Sequence, residues 1–178
     1  ARSVKTLLQK YKITLNVLKN KKLIKNNIQS EARRIRYNLL TSFCKKKKIK
    51  TILTAHNLED QVETFFIRLS RGSGLQGLSS MKEINKINDN IHLVRPLLDF
   101  KKIQLIKISK VIFGKFYRDP TNKNTKYLRT RIRNLKKSLE TSGINYDQVF
   151  QSIKNLASSR DTLDLYFNKI YKDIVNKK

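Results

Sequence analysis

The chain has 178 residues, with 40 lysines and arginines against 13 aspartates and glutamates and a formal net charge of +27. A hydrophobic content of 39% suffices for one buried core, which excludes a disordered chain and fits one domain, or one domain with an appendage. The single cysteine excludes an internal disulfide and any paired-cysteine metal or redox centre, and no apolar run approaches the roughly 18 residues of a membrane span.

In chain order, apolar periodicity predicts a helix end at 3–11, a strand at ITLNVL (13–18), a helix over 29–46 and a buried strand at KTILTA (50–55). The first 30 residues hold eight basic side chains and no acid, as a transit peptide does, but the strand at 13–18 argues for folded chain. A helix over 57–70 follows, then the glycine-rich RGSGLQG at 71–77, a short strand at 91–96, a helix near 101–111 and a brief strand at KFYRD (115–119). A helix over 129–139 carries Leu128, Ile132, Leu135 and Leu139 on one stripe and Arg129, Arg133 and Lys136 on another. From Val149 to Ile174 three-or-four spacing predicts one or two further helices, interrupted at Arg160 and packed on a neighbour. Strands alternating with helices predict an α/β layer with a mostly parallel sheet.

Charge points to a polyanionic partner, because clustered Lys and Arg release counterions condensed on nucleic acid. Abundant Lys, Asn and Ile can equally reflect an A/T-rich genome. Against that basic background Glu59, Asp60 and Glu63 sit within five positions, just after His56 and just before Gly72, Gly74 and Gly77. On a helix from Asn57, the residues Leu58, Val62, Phe65, Phe66 and Leu69 share one face, and His56, Asp60 and Glu63 the opposite one. Asn57 as N-cap with Asp60 three residues on would make a capping box, and Glu59 and Asp60 favour the positive helix end. Capping leaves Glu63 unexplained, and a carboxylate pair near a cleft can hold an amine, a metal or a proton. Zinc is the weakest of these: His92 is far from helical zinc spacing to His56, and Cys44, expected to serve packing in a reducing compartment, stands alone. RGSGLQG could offer backbone N–H groups to phosphate but matches neither the Walker nor the dinucleotide fingerprint.

Taken as one string, HNLEDQVET with FFIRLSRGSGLQGLSSM resembles the tRNA(Ile)-lysidine synthetases of the PP-loop ATP pyrophosphatase family. EARRIRYNLL at 31–40, VRPLLDF at 94–100 and YRDPTNKNTKYLRTRIR at 117–133 extend the resemblance over nearly all of residues 1–140. It implies a Rossmann-like, adenine nucleotide alpha hydrolase-like parallel sheet flanked by helices, incomplete at the N-terminus and followed by a helical segment. The implied domains are 1–142 for the catalytic part and 143–178 for a helical linker or the start of a second domain.

The implied activity is an ATP-dependent ligation that converts the wobble cytidine of the CAU anticodon of tRNA(Ile) to lysidine with L-lysine, through an adenylated tRNA. ATP is the implied co-substrate, with Mg2+. Asp60 and Glu63 match positions associated with lysine recognition, which would explain acidic residues in a field made positive for tRNA. With His56 and Arg129 they form the expected catalytic set. His56, Arg71, Gly72, Ser73 and Gly74 would face the nucleotide or phosphate, and Lys126, Arg129, Arg131 and Arg133 the tRNA; for the arginines the bland alternative is a solvated helix face.

Two departures from the family pattern stand out. Glu59 occupies a position that is usually aspartate, which keeps the charge but moves it by a methylene. The S-G-G-x-D-S loop that clamps ATP phosphates occurs nowhere in the 178 residues. The expectation is therefore that the chain starts about two elements late, as a fragment or one piece of a split product, with a missing N-terminal segment or a C-terminal tRNA-binding domain as partner. The competing reading is a non-catalytic basic RNA-binding remnant. A related tRNA thiolase is disfavoured because sulfur transfer there employs paired cysteines. The expected compartment is the bacterial cytoplasm, or else the mitochondrial matrix or plastid stroma.

Overall fold

The computed structural model describes residues 2–20, 24, 28–117 and 125–175, which fall into two compact units, one within 1–54 and 84–95 and the other within 55–83 and 96–178. The first unit begins with α1 (Arg2–Lys10), which stops where Lys12 takes a φ of 55° and the Ile13 N–H turns back to the Leu8 carbonyl at 3.0 Å. Residues 13–18, expected as a strand, are irregular instead, with Ile13 and Val17 exposed. β-prone side chains form a strand only where a neighbour completes the ladder, and among the described residues none lies beside them.

Helix α2 (Ile28–Lys46) has Glu31 in its first turn and Lys45 and Lys46 in its last, matching the helix dipole at both ends. Tyr37, Leu40 and Cys44 recur on one face and pack on Ile52, Ile91 and Leu93, so the lone cysteine is a buried packing residue. The sheet has the order β1 (Thr51–Leu53), β3 (Ile91–Val94), β2 (Ile84–Asn88). β1 runs parallel to β3 with Ile52 opposite Leu93, and β2 runs antiparallel to β3 with a bulge between Lys86 and Asn88. The fold is α/β as expected, but the sheet is mixed. The antiparallel strand escaped the sequence reading because INKIN is an edge strand with exposed or half-buried side chains, and no core face imposes alternation on it.

The second unit is helical: α3 (Leu58–Leu69), α4 (Leu75–Leu78), α5 (Lys102–Phe113), α6 (Leu128–Asn134), α7 (Lys136–Thr141) and α8 (Tyr146–Val175). Leu58 and Val62 of α3 meet Tyr146, Phe150 and Ile153 of α8, with Phe65, Phe66, Leu139 and Val149 around them. The apolar face predicted for α3 is therefore mostly real, although Leu69 is exposed. The predicted helix over 129–139 is divided at Leu135, whose N–H is shared between the Arg131 and Ile132 carbonyls at 3.2 and 3.1 Å. α8 is continuous through Arg160, which is buried and satisfied by polar partners instead of breaking the helix. Of the strand expected at 115–119, residues 115–117 are irregular and the rest lies outside the described residues. The expected boundary between 142 and 143 falls inside this unit. No helix of the described residues is long and apolar enough to cross a membrane.

Candidate functional site

The site grows from the first turn of α3. The Asn57 side chain accepts from the Asp60 N–H at 3.0 Å and the Asp60 carboxylate accepts from the Asn57 N–H at 3.1 Å, so the predicted capping box is present. Glu59 accepts the backbone N–H of Lys102 at 2.8 Å and thereby ties the start of α5 to α3.

One turn further, Glu63 is only 1% exposed, although helical spacing alone places it on the face away from the core. The cause is tertiary: that face of α3 meets α6. Arg133 donates a bidentate fork to Glu63 at 2.6 and 2.9 Å, the geometry of a paired carboxylate, and its Nη2 lies 4.0 Å from Asp60. Arg129, one turn earlier on α6, donates to the Thr64 hydroxyl at 3.0 Å and brings its Nε within 3.7 Å of Glu63. Burial pushes the Glu63 carboxyl above its ordinary range, opposed by the Arg133 hydrogen bonds, and Arg133 in turn is raised by Glu63.

These groups border a cavity of about 350 Å3 lined by Asn57, Glu59, Asp60, Glu63, Lys102, Arg133, Lys136 and Tyr146. Three carboxylates and three cations balance in its wall. Tyr146 is buried at 4% exposure, and its hydroxyl has no hydrogen-bond partner among the described residues. Burial pushes the phenol up to about 12, with the Glu63 charge adding to the effect. The Lys136 ammonium sits over the Tyr146 ring, 4.9 Å from its centroid.

The glycine-rich loop is a folded brace. Gly72 adopts a φ of 68°, and the Gly72 and Ser73 N–H groups donate to the Leu69 and Arg68 carbonyls at 3.0 and 3.1 Å, closing the end of α3. At Gly77 a Cβ would stand 2.6 Å from the Ser73 Cβ, so only glycine fits there. Arg68 donates to the Gly77 and Ser80 carbonyls at 2.7 and 2.9 Å, and Gln61 exchanges two hydrogen bonds with the Met81 backbone. From α8, Arg160 reaches the Ser79 hydroxyl at 2.6 Å, and Asp164 accepts from Gln76 at 3.0 Å.

Of the residues predicted from sequence, Asp60, Glu63, Arg129 and Arg133 come together. His56 is half-buried just before the helix cap and outside the cavity lining. Arg71, Gly72 and Gly74 are exposed and Ser73 half-buried, while Lys126 and Arg131 are exposed. Sequence reasoning missed Lys102, Lys136 and Tyr146 in the cavity wall. Tyr146 heads the apolar stripe that continues through Val149 and Ile153, which would have placed it in the core but not at a cavity. Among the described residues no group of three His, Cys, Asp or Glu side chains is placed to hold a metal ion.

Comparison with known proteins follows the same outline. A family profile described as the PP-loop domain matches residues 1–139. The tRNA(Ile)-lysidine synthase of Wolbachia pipientis wMel is 38% identical over 156 residues, covering 88% of this chain and 36% of that protein. The enzyme of the same name from Orientia tsutsugamushi is 39% identical over 153 residues, covering 86% and 34%. The chain thus spans about a third of the length of these curated relatives. Among solved structures, a U34-tRNA thiolase from Methanococcus maripaludis with a [4Fe-4S] cluster superposes with a TM-score of 0.65 at 15% identity, over 88% of this chain and 55% of that one. At that identity the likeness is one of fold.

Proposed function

We propose, from the premise that this chain belongs to the PP-loop domain family, that it is part of an ATP-dependent ligase that builds lysidine at the wobble cytidine of tRNA(Ile) with a CAU anticodon. The curated relatives named above carry that activity in their names. The observation that carries the reading is the acidic wall of Glu59, Asp60 and Glu63 in a chain of net charge +27, at a cavity of amino-acid size.

In the proposed reaction the cytosine carbon-2 oxygen attacks the α-phosphorus of ATP and pyrophosphate leaves. The amine of L-lysine then adds to carbon 2 and AMP departs with the oxygen. Asp60 offers charge to an ammonium group of lysine, while the Arg133 fork keeps Glu63 fixed beneath it. A protonated amine is no nucleophile, so it must lose a proton before attack, and a carboxylate whose pKa is raised by burial is suited to take it. Arg129, held by Thr64 and Glu63, is the candidate to meet developing negative charge. The exposed Arg71, Lys126 and Arg131 suit phosphate of nucleotide or tRNA, with His56 and the Gly72–Gly74 turn beside the nucleotide. Glu59, Asp60 and Glu63 already accept from Lys102, Asn57 and Arg133, a donor set that does not suit a resident divalent ion; Mg2+ would arrive with the ATP phosphates as part of the substrate.

On this reading residues 1–142 are the catalytic domain and 143–178 a helical linker or the start of a second domain, in the cytoplasm of a bacterium or the matrix or stroma of an organelle. The test is incubation of the full-length gene product with ATP, radiolabelled L-lysine and the tRNA(Ile) transcript. Label is expected in the tRNA. Its absence, with tRNA binding intact, would favour an RNA-binding remnant instead.

A further inference from the structure

A buried hydroxyl without a partner is costly, and a folded chain retains one where something else satisfies it. The Tyr146 hydroxyl is such a group, on a side chain of 4% exposure in the wall of the 350 Å3 cavity. Tyr146 lies beyond residue 139, where the family match ends, and is not among the residues assigned above to substrates.

The remaining valences of the cavity divide into two kinds. Glu63 gives both oxygens to Arg133, whereas Asp60 gives Oδ2 to its capping bond and keeps Oδ1, 4.0 Å from the Arg133 Nη2. Asp60 is thus the open acceptor for a cation. On the donor side stand the Tyr146 hydroxyl, neutral because burial pushes its ionisation up to about 12, and the Lys136 ammonium beside its ring. Lys136 pairs with exposed Glu140 at 3.7 Å, a bond that solvent weakens and a better acceptor displaces. Such a wall is incomplete for a simple amine and for a simple anion alike.

We infer that the cavity takes its ligand as an amino-acid zwitterion, with the Tyr146 hydroxyl and the Lys136 ammonium receiving the α-carboxylate while Asp60 receives an ammonium group. This rests on the reading above that lysine is the substrate and adds what selects it from other amines. Asp60 alone would accept any diamine of similar length. The carboxylate end restricts the site to amino acids and fixes which of the two lysine nitrogens points away from it.

The test titrates L-lysine and 1,5-diaminopentane, which is lysine without its carboxylate, into the full-length protein by calorimetry, with Tyr146→Phe, Lys136→Gln and Asp60→Asn variants. Tyr146→Phe should weaken L-lysine about tenfold, the scale of one hydrogen bond to a charged group, and leave the diamine unchanged. Its melting temperature should not fall, because the variant loses only an unsatisfied hydroxyl. Lys136→Gln should show the same selectivity, and Asp60→Asn should weaken both ligands. Equal losses of both ligands in Tyr146→Phe, or none, would overturn the inference, while lysine dependence on Asp60 would still support the substrate reading. A wild-type protein that binds neither ligand and attaches no lysine to tRNA would overturn both.

Discussion

At the scale of single residues, the pair of Glu63 and Arg133 decides how charge is stored in this protein. A carboxylate at 1% exposure is tolerable only with its fork in place, and removing one partner of such a pair leaves an uncompensated buried charge. Arg133→Ala is therefore expected to destabilise the fold by about 3–5 kcal/mol, read by urea unfolding. Asp60→Asn, more exposed and needed for the ammonium, should instead raise the lysine KM with little change in stability. Tyr146 supplies a separate pH readout. Its pKa is raised from 10.0 to about 12 in the folded state, so its contribution to stability is whole below pH 10 and is lost as pH rises toward 12. Of the 7 tyrosines, Tyr146 should ionise late in an ultraviolet titration, and Tyr146→Phe should delete that last step.

Among the elements, α8 does more than close the core. Its first turns carry Tyr146, Phe150 and Ile153 against α3, and two turns later Arg160 holds the loop that contains α4 through the Ser79 hydroxyl. Arg160 also pairs with its neighbour Asp161, and Lys82 approaches Asp161 and Asp164 at 3.8 and 3.7 Å. Since the loop is also fixed from α3 by Arg68 and Gln61, it is braced from both helices at once. Arg160→Ala should cost about 1–3 kcal/mol, because it strands the buried Ser79 hydroxyl, and should lower hydrogen-exchange protection selectively over residues 75–81. Equal loss of protection throughout α3 would show that the brace serves the core as a whole. Gly77→Ala should loosen the same residues by a different route, the 2.6 Å approach to Ser73.

For the whole molecule, the question is which of the 40 basic side chains meet RNA. Arg133 and Arg129 are directed at Glu63 and Thr64, whereas Lys126 and Arg131 are exposed on and beside the same helix. Lys126→Ala and Arg131→Ala should each weaken tRNA binding and reduce the magnitude of the salt slope by about 0.7–0.9, one phosphate contact apiece. Arg133→Ala should leave the slope nearly unchanged while lowering stability. ATP is a second discriminator at this scale. The S-G-G-x-D-S phosphate loop is not in the 178-residue sequence, and the Gly72 and Ser73 N–H groups already close the end of α3, so this chain by itself should bind ATP weakly in calorimetry. Micromolar affinity would show that other side chains or backbone groups of the chain hold the triphosphate.

Much of this protein is legible from local pattern alone. The 3.6-residue spacing in α2, α3 and α5 and the Asn57–Asp60 cap depend on residues within a few positions of one another, so the chain determines them before any tertiary contact forms. The same holds for the motif string from His56 to Met81 and for the net charge. Tertiary structure decided what long-range partners decide. Residues 13–18 have the composition of a strand without a ladder to join, and INKIN has the composition of a loop with β3 beside it. Glu63 reads as a solvent-facing acid until α6 brings Arg133 across 70 positions of sequence to cover it. Tyr146 reads as one more core aromatic until the fold sets its hydroxyl, unpaired, in the wall of a charged cavity. Local spacing specifies which face of an element a side chain occupies; only packing specifies what that face meets, and the burial of a charge depends on the second.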